Sequence, residues 1–130
     1  MTRTILTEAG AQTAPSGDAL WLSAADALRI TGWELKPEGM CRGELCVPLP
    51  AGMAKDGQID LAAFWGHIGA PLAHDAGGTV WSLGTAASER RQSLETLEAP
   101  DFTLPDLAGA AHSLSDLRGK KTLLVTWASW

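Results

Sequence analysis

The rhythm of polar and apolar positions changes twice along this chain. Residues 1–18, MTRTILTEAGAQTAPSGD, are Thr, Ala, Gly, Gln and Ser with little periodicity, which predicts a flexible arm. From residue 19, short helical and strand patterns alternate. Ser23 is placed as an N-cap with Asp26 at N3, ahead of an apolar stripe of Leu22, Ala25, Leu28 and Ile30, and Gly32 stops that helix. The stretch WELKPEGMCRGELCVPLP reads as β-structure. Its turn-like Pro37-Glu38-Gly39 and Arg42-Gly43-Glu44 let Met40-Cys41 pair with Leu45-Cys46-Val47 as a tight hairpin. Asp60 caps a second helix in which Leu61, Phe64, Trp65 and Ile68 share a face and Gly69 ends the run. Leu72-Ala73-His74 and Val80-Trp81-Ser82-Leu83, around Gly77-Gly78, predict another hairpin. Thr85 caps a charged helix from Ala86 to Leu94.

A third rhythm occupies residues 97–130. Phe102-Thr103-Leu104 is a short strand between Pro100 and Pro105, and Asp106-Leu107-Ala108-Gly109 is a turn. Ala111-His112-Ser113-Leu114 returns to close a hairpin, and Ser115 to Gly119 is one helical turn. Thr122 to Trp127 is apolar and β-rich, the pattern of a strand buried on both faces of a sheet. The expected organisation is thus an arm (1–18), a small α+β domain (19–84), a linker helix (85–96) and the segment 97–130, with no internal repeat.

Composition excludes more than it assigns. A hydrophobic fraction of 45% and a charged fraction of 19% describe a foldable chain. A net charge of −5 argues against nucleic acid, whose phosphates need clustered Lys and Arg. No stretch reaches the roughly 18 apolar residues of a membrane span, and the N-terminus lacks the apolar core of a secretory leader. A cytoplasmic setting, with neither membrane nor nucleic acid as partner, is the expectation. Six Trp stand beside no Tyr and two Phe.

The order of motifs in 97–130 carries a family resemblance. Ala99-Pro100-Asp101-Phe102, Leu104-Pro105-Asp106, Leu114-Ser115-Asp116-Leu117-Arg118-Gly119-Lys120 and Leu123-Leu124-Val125 before Trp127-Ala128-Ser129-Trp130 follow one another at the family's spacing. The segment resembles the start of the redoxin group: peroxiredoxins of the alkyl hydroperoxide reductase/thiol-specific antioxidant type and thioredoxin-like thiol–disulfide oxidoreductases. The resemblance implies an α/β chain in which the small α+β domain precedes the opening hairpin and central strand of an incomplete thioredoxin-like fold. It implies that Trp127, Ala128, Ser129 and Trp130 approach an active site whose nucleophile is due immediately after Trp130, so that no catalytic residue is present and the chain as it stands is expected to be inactive. At a helix N-terminus, unpaired N–H groups and the helix dipole favour a thiolate. One expectation for the end at Trp130 is a following UGA codon that encodes selenocysteine. The partners implied are a peroxide or disulfide substrate and a thiol reductant such as a thioredoxin; no cofactor is implied. The stretch from Val47-Pro48-Leu49 to Asp75–Leu83 also resembles the hairpin–helix–hairpin module at the N-terminus of copper amine oxidases, which implies an adaptor role and no copper.

Cys41 and Cys46 are the two cysteines. Across a short hairpin they stand at a separation that suits a disulfide, about 4.5–5.5 Å between Cα atoms, although a cytoplasm disfavours a permanent one. A redox pair and two half-buried thiols both remain open. Zinc at Cys41, Cys46, His67 and His74 is disfavoured by the seven-residue spacing of the histidines, so no metal is expected. His112 reads as a surface residue. No Ser–His–Asp order, phosphate loop or GxGxxG is present.

Overall fold

The structure, a computed structural model, describes residues 1–129 apart from the side chains of Gln92 and Ser93. The chain divides into two compact units, Met1–Arg91 and Gln92–Trp130. In the first, β1 (Thr2–Thr7) and β2 (Gly10–Pro15) form a hairpin, and β3 (Trp21–Ser23) leads into α1 (Ala24–Thr31). A meander of β4 (Glu34–Lys36), β5 (Gly39–Arg42) and β6 (Leu45–Val47) follows. Next come β7 (Ala54–Lys55), β8 (Gln58–Asp60), α2 (Leu61–His67), β9 (Leu72–His74) and β10 (Val80–Leu83). Helix α3 (Ala87–Thr96) crosses the boundary between units. The second unit holds β11 (Thr103–Pro105), β12 (Ala111–Ser113) and a 3-10 turn at Leu114–Leu117. The architecture is mixed α and β.

Residues 1–18 are not a flexible arm. Strand β1 lies in the middle of a four-stranded sheet ordered β2-β1-β10-β9, parallel to β10 with Ile5 opposite Trp81 and antiparallel to β2. Ile5 and Arg3 are buried because they occupy the inward positions of a two-residue alternation that the Thr and Ala content obscures. The Arg3 guanidinium donates to the carbonyls of Pro15 (2.8 Å), Trp21 (3.2 Å) and Ala19, which ties the hairpin to the loop that follows it. A buried cation satisfied by three carbonyls is an anchor, and burial lowers its pKa from the ordinary guanidinium value.

Two of the three expected helix starts form. Ser23 accepts from the Asp26 amide at 3.1 Å and Asp60 from the Ala63 amide at 3.0 Å. Gly32 closes α1 in the left-handed region, at φ 77°, and its amide donates to the Leu28 carbonyl at 2.8 Å. The buried face of α1 differs from the expected stripe: Ala27 and Ile30 point inward, while Ala25 and Leu28 are exposed. Leu22 belongs to β3 instead, opposite Ile59 of β8. Helix α2 buries Leu61, Phe64 and Trp65 as its pattern required. Thr85 does not cap α3; its hydroxyl donates to Glu8.

Three of the six tryptophans build the core. Trp33 stands edge-on to Phe64 at 5.1 Å between ring centroids. The indole N–H of Trp65 donates to Gly84 O at 2.8 Å and that of Trp81 to Gly78 O at 3.0 Å. Among the described residues, the buried apolar ones all lie between Ile5 and Ala86. In the second unit β11 pairs with β12, Leu104 opposite His112, but Thr122–Trp127 is not a strand. Leu123 is 87% exposed and Trp127 84%. A strand of that composition needs neighbours to pair its backbone and cover its faces, and no described strand flanks this one.

Candidate functional site

The chemistry-bearing residues fall into one group in each unit. In the first, the Arg42-Gly43-Glu44 turn sets the register of β5 and β6 so that Cys41 faces Cys46, Met40 faces Val47 and Arg42 faces Leu45. Gly39 makes the approach feasible. It sits at φ 133°, and a Cβ there would meet the Val47 carbonyl oxygen at 2.1 Å. The Cα atoms of Cys41 and Cys46 are 4.0 Å apart and the sulfurs are joined in a disulfide. Cys41 is buried at 2% exposure, whereas Cys46 on the outermost strand of the β4-β5-β6 sheet is exposed.

The two faces of this hairpin differ. On the disulfide side, Glu34 of β4 stands opposite Cys41 in register and pairs with Lys36 at 3.4 Å. On the other side the Arg42 guanidinium lies 4.7 Å from the Trp33 ring centroid and forms an ion pair with Glu89. A cleft of about 270 Å³ opens beside it, lined by Trp33, Leu45, Val47, Ile68 and Ala86. The Trp33 indole nitrogen is buried with no hydrogen-bond partner among the described residues.

The histidines do not join the cysteines. His67 is exposed at the end of α2, and His74 stacks on Trp81 at 4.4 Å with Nδ1 2.8 Å from Asp75 O. With both sulfurs in a disulfide there is no thiolate to offer zinc, and the described residues contain no group of three His, Cys, Asp or Glu placed to hold a metal.

In the second unit the opening hairpin is held by carboxylates that sequence reasoning did not single out. Asp106 accepts from the Ala108 and Ala110 amides at 2.9 Å and pairs with His112 Nε2 at 2.8 Å. The His112 contact first, and the amides after it, hold the Asp106 carboxyl below its ordinary pKa. Asp101 accepts from the Ser115 amide at 2.8 Å, and its pKa is lowered chiefly by that serine's hydroxyl and amide. An Asp at the first position of a Gly-containing turn is the signal that could have found Asp106. His112 is therefore a surface residue with a partner. Trp127, Ala128 and Ser129 are exposed and outside any helix or strand; Trp130 lies outside the described residues. No described side chain of this unit is a thiol.

Known proteins match parts of the chain. Thioredoxin-like protein YneN of Bacillus subtilis is 44% identical over 55 residues, covering 42% of this chain and 32% of that protein. Thiol-disulfide oxidoreductase ResA of Geobacillus kaustophilus is 56% identical over 32 residues, 25% of this chain and 18% of its own length. The protein of the same name from Geobacillus thermodenitrificans is 53% identical over 32 residues. The chain therefore spans about a third of the first of these relatives and under a fifth of the other two. No family model and no solved structure matches it. These similarities support a thioredoxin-like relationship and a thioredoxin-like fold for the matched stretch. No helix among the described residues is long and apolar enough to cross a membrane.

Proposed function

We propose that this chain forms part of a thiol–disulfide oxidoreductase of the redoxin group. The observation that carries the reading is the 56% identity over 32 residues to a thiol-disulfide oxidoreductase, a length close to that of the segment with the redoxin motif order. In the proposed reaction a thiolate or selenolate in the position after Trp130 attacks a disulfide sulfur, forms a mixed disulfide and expels the other sulfur as thiolate. A second thiol then resolves it. With a peroxide as substrate the same group attacks one oxygen, takes it as a sulfenic or selenenic acid and releases the remainder as alcohol or water. A thioredoxin-type dithiol in the cytoplasm is the proposed reductant. The local structure suits such a role: the Asp106–His112 and Asp101–Ser115 contacts fix the hairpin that leads into the reactive segment.

Two experiments test this reading. The codon after Trp130 is read from the nucleotide sequence, where UGA followed by a continuing redoxin frame supports a selenol nucleophile and any other codon removes it. A chain extended along that frame, with cysteine in the position after Trp130, is then assayed for reduction of protein disulfides and of peroxide with dithiol reductants. Turnover supports the proposal. Absence of turnover with every reductant sinks it and leaves the rival reading, a non-catalytic binding module built on residues 19–93, which draws support from the confinement of the buried core to the first unit.

A further inference from the structure

The geometry points to a second thiol–disulfide exchange site: we propose that Cys41–Cys46 is a redox-active disulfide, opened by a dithiol reductant that attacks at Cys46. This goes beyond the reading above, since it concerns residues outside the redoxin segment and needs no residue after Trp130.

Three observations converge. The bond joins residues that the β5–β6 ladder already holds opposite one another, with Met40–Val47 and Arg42–Leu45 pairs on either side. It closes a loop of only five residues' separation, and the loop-closure entropy such a bond removes from the unfolded chain is small. The hairpin's register therefore does not depend on the bond, and the bond can open while the ladder stays. Its two sulfur-bearing residues also differ in access: Cys41 is buried and Cys46 is exposed on an edge strand. Exchange requires an incoming thiolate to reach one sulfur in line with the S–S axis, so access fixes the direction of attack. Finally, Arg42, Trp33 and Glu89 brace β5 from the face away from the sulfurs, which keeps Cys41 in place when the bond breaks.

A thiolate of the dithiol attacks Cys46 Sγ and forms a mixed disulfide, while the electron pair of the S–S bond leaves on Cys41 Sγ, which takes a proton. The second thiol of the reductant, deprotonated, attacks the mixed disulfide. It releases Cys46 as thiolate, which takes the second proton, and the reductant leaves as its own disulfide. The pair has gained two electrons and two protons. In reverse, the reduced pair reduces a disulfide substrate.

The test uses the whole chain. The native protein is treated with reduced glutathione, quenched by alkylation and mapped by peptide mass spectrometry. The expected intermediate carries glutathione on Cys46 and the alkyl group on Cys41, favoured by about tenfold or more over the reverse arrangement. Dithiothreitol is expected to reduce the bond fully while the far-ultraviolet circular dichroism stays native. In single variants, the thiol left by Cys41→Ser should react with glutathione disulfide about tenfold faster than that left by Cys46→Ser. Glutathione distributed equally between the two cysteines, or a bond that opens only once the chain unfolds, would overturn the proposal. Both of those readings come from the unsubstituted chain, so they hold even if a variant fails to fold.

Discussion

The Arg42 guanidinium sits 4.7 Å from the centre of the Trp33 ring and at the same time pairs with Glu89. One cation thus links the β5 strand, the first residue after α1's cap and the first turn of α3. The ring is buried and the charge is half-exposed, so ring attraction and stem packing matter more than the ion pair, which solvent screens. Replacing Arg42→Ala should lower stability by about 1–2 kcal/mol, and Glu89→Gln by about 0.5 kcal/mol or less. Urea unfolding at low and high salt separates the two, because only the Glu89 contribution should shrink with salt.

Arg3 is a larger dependency. Its guanidinium is buried and donates to the Pro15, Ala19 and Trp21 carbonyls. Arg3→Met keeps much of the bulk but leaves three acceptors without their donor, which should cost about 2–4 kcal/mol. Amide hydrogen exchange should accelerate first across β1 and β2. Unchanged exchange there would mean that the β1–β10 ladder, and not Arg3, holds the hairpin in place.

The start of α1 couples a cap to pH. Ser23 accepts from the Asp26 amide and donates to the Asp26 carboxylate at 2.9 Å, while Arg29 binds that carboxylate at 2.8 Å. Ser23→Ala should cost about 1 kcal/mol, read as a shift of the denaturation midpoint. The Asp26 pKa is lowered, first by the Arg29 hydrogen bond and then by Ser23. A depressed carboxylate pKa means that the folded state binds its proton less readily than the unfolded chain does. The stabilisation is therefore complete above the ordinary carboxylate value of about 3.9 and is lost as pH falls through the lowered one. Asp26→Asn should lower the neutral plateau by the amount that the acid limb flattens, and leave stability below the lowered pKa nearly unchanged.

Gly39 shows why parts of this fold were legible in the sequence and others were not. Turns, caps and tight hairpins announce themselves through single residues with few conformational options, and Ser23, Gly32, Asp60 and the Cys41/Cys46 register follow from that local chemistry. Strand β1 did not, because its inward Arg3 and Ile5 acquire meaning only when β10, over sixty residues later, lies beside it. The α1 stripe differs from its helical spacing for a similar reason: Leu22 fits that spacing, but its partner is Ile59 in a distant strand. In the candidate site, the placement of the cysteines across a hairpin could be read from spacing, but neither their bonding nor the unequal access of Cys41 and Cys46 could, since an edge strand is defined by what lies beyond it. For the hairpin itself, Gly39→Ala combines a φ of 133° with an overlap against the Val47 carbonyl, so about 3 kcal/mol or more should be lost. The β5–β6 amides should lose protection before the rest of the sheet system.

The second unit provides the last test. Every buried apolar residue of the described chain lies between Ile5 and Ala86. In residues 98–129 no side chain is fully buried, and the apolar Leu123, Leu124, Val125 and Trp127 face solvent. A peptide of that length has too little interior to offset the entropy of ordering its backbone. The β11–β12 hairpin and its carboxylate contacts give local order, but the backbone after Gly119 has no ladder at all. Brief trypsin treatment should therefore cut first at Arg118, Lys120 and Lys121 and then within α3 at Arg90 or Arg91, leaving a resistant fragment that begins at Met1. Mass spectrometry identifies the cuts. Extending the chain along a redoxin frame should protect the first set by giving Thr122–Trp127 strand neighbours, while leaving Arg90 and Arg91 as accessible as before. Protection of residues 118–121 in the 130-residue chain itself would mean that the segment is already packed, and the absence of strand neighbours would then not be what leaves its apolar side chains exposed.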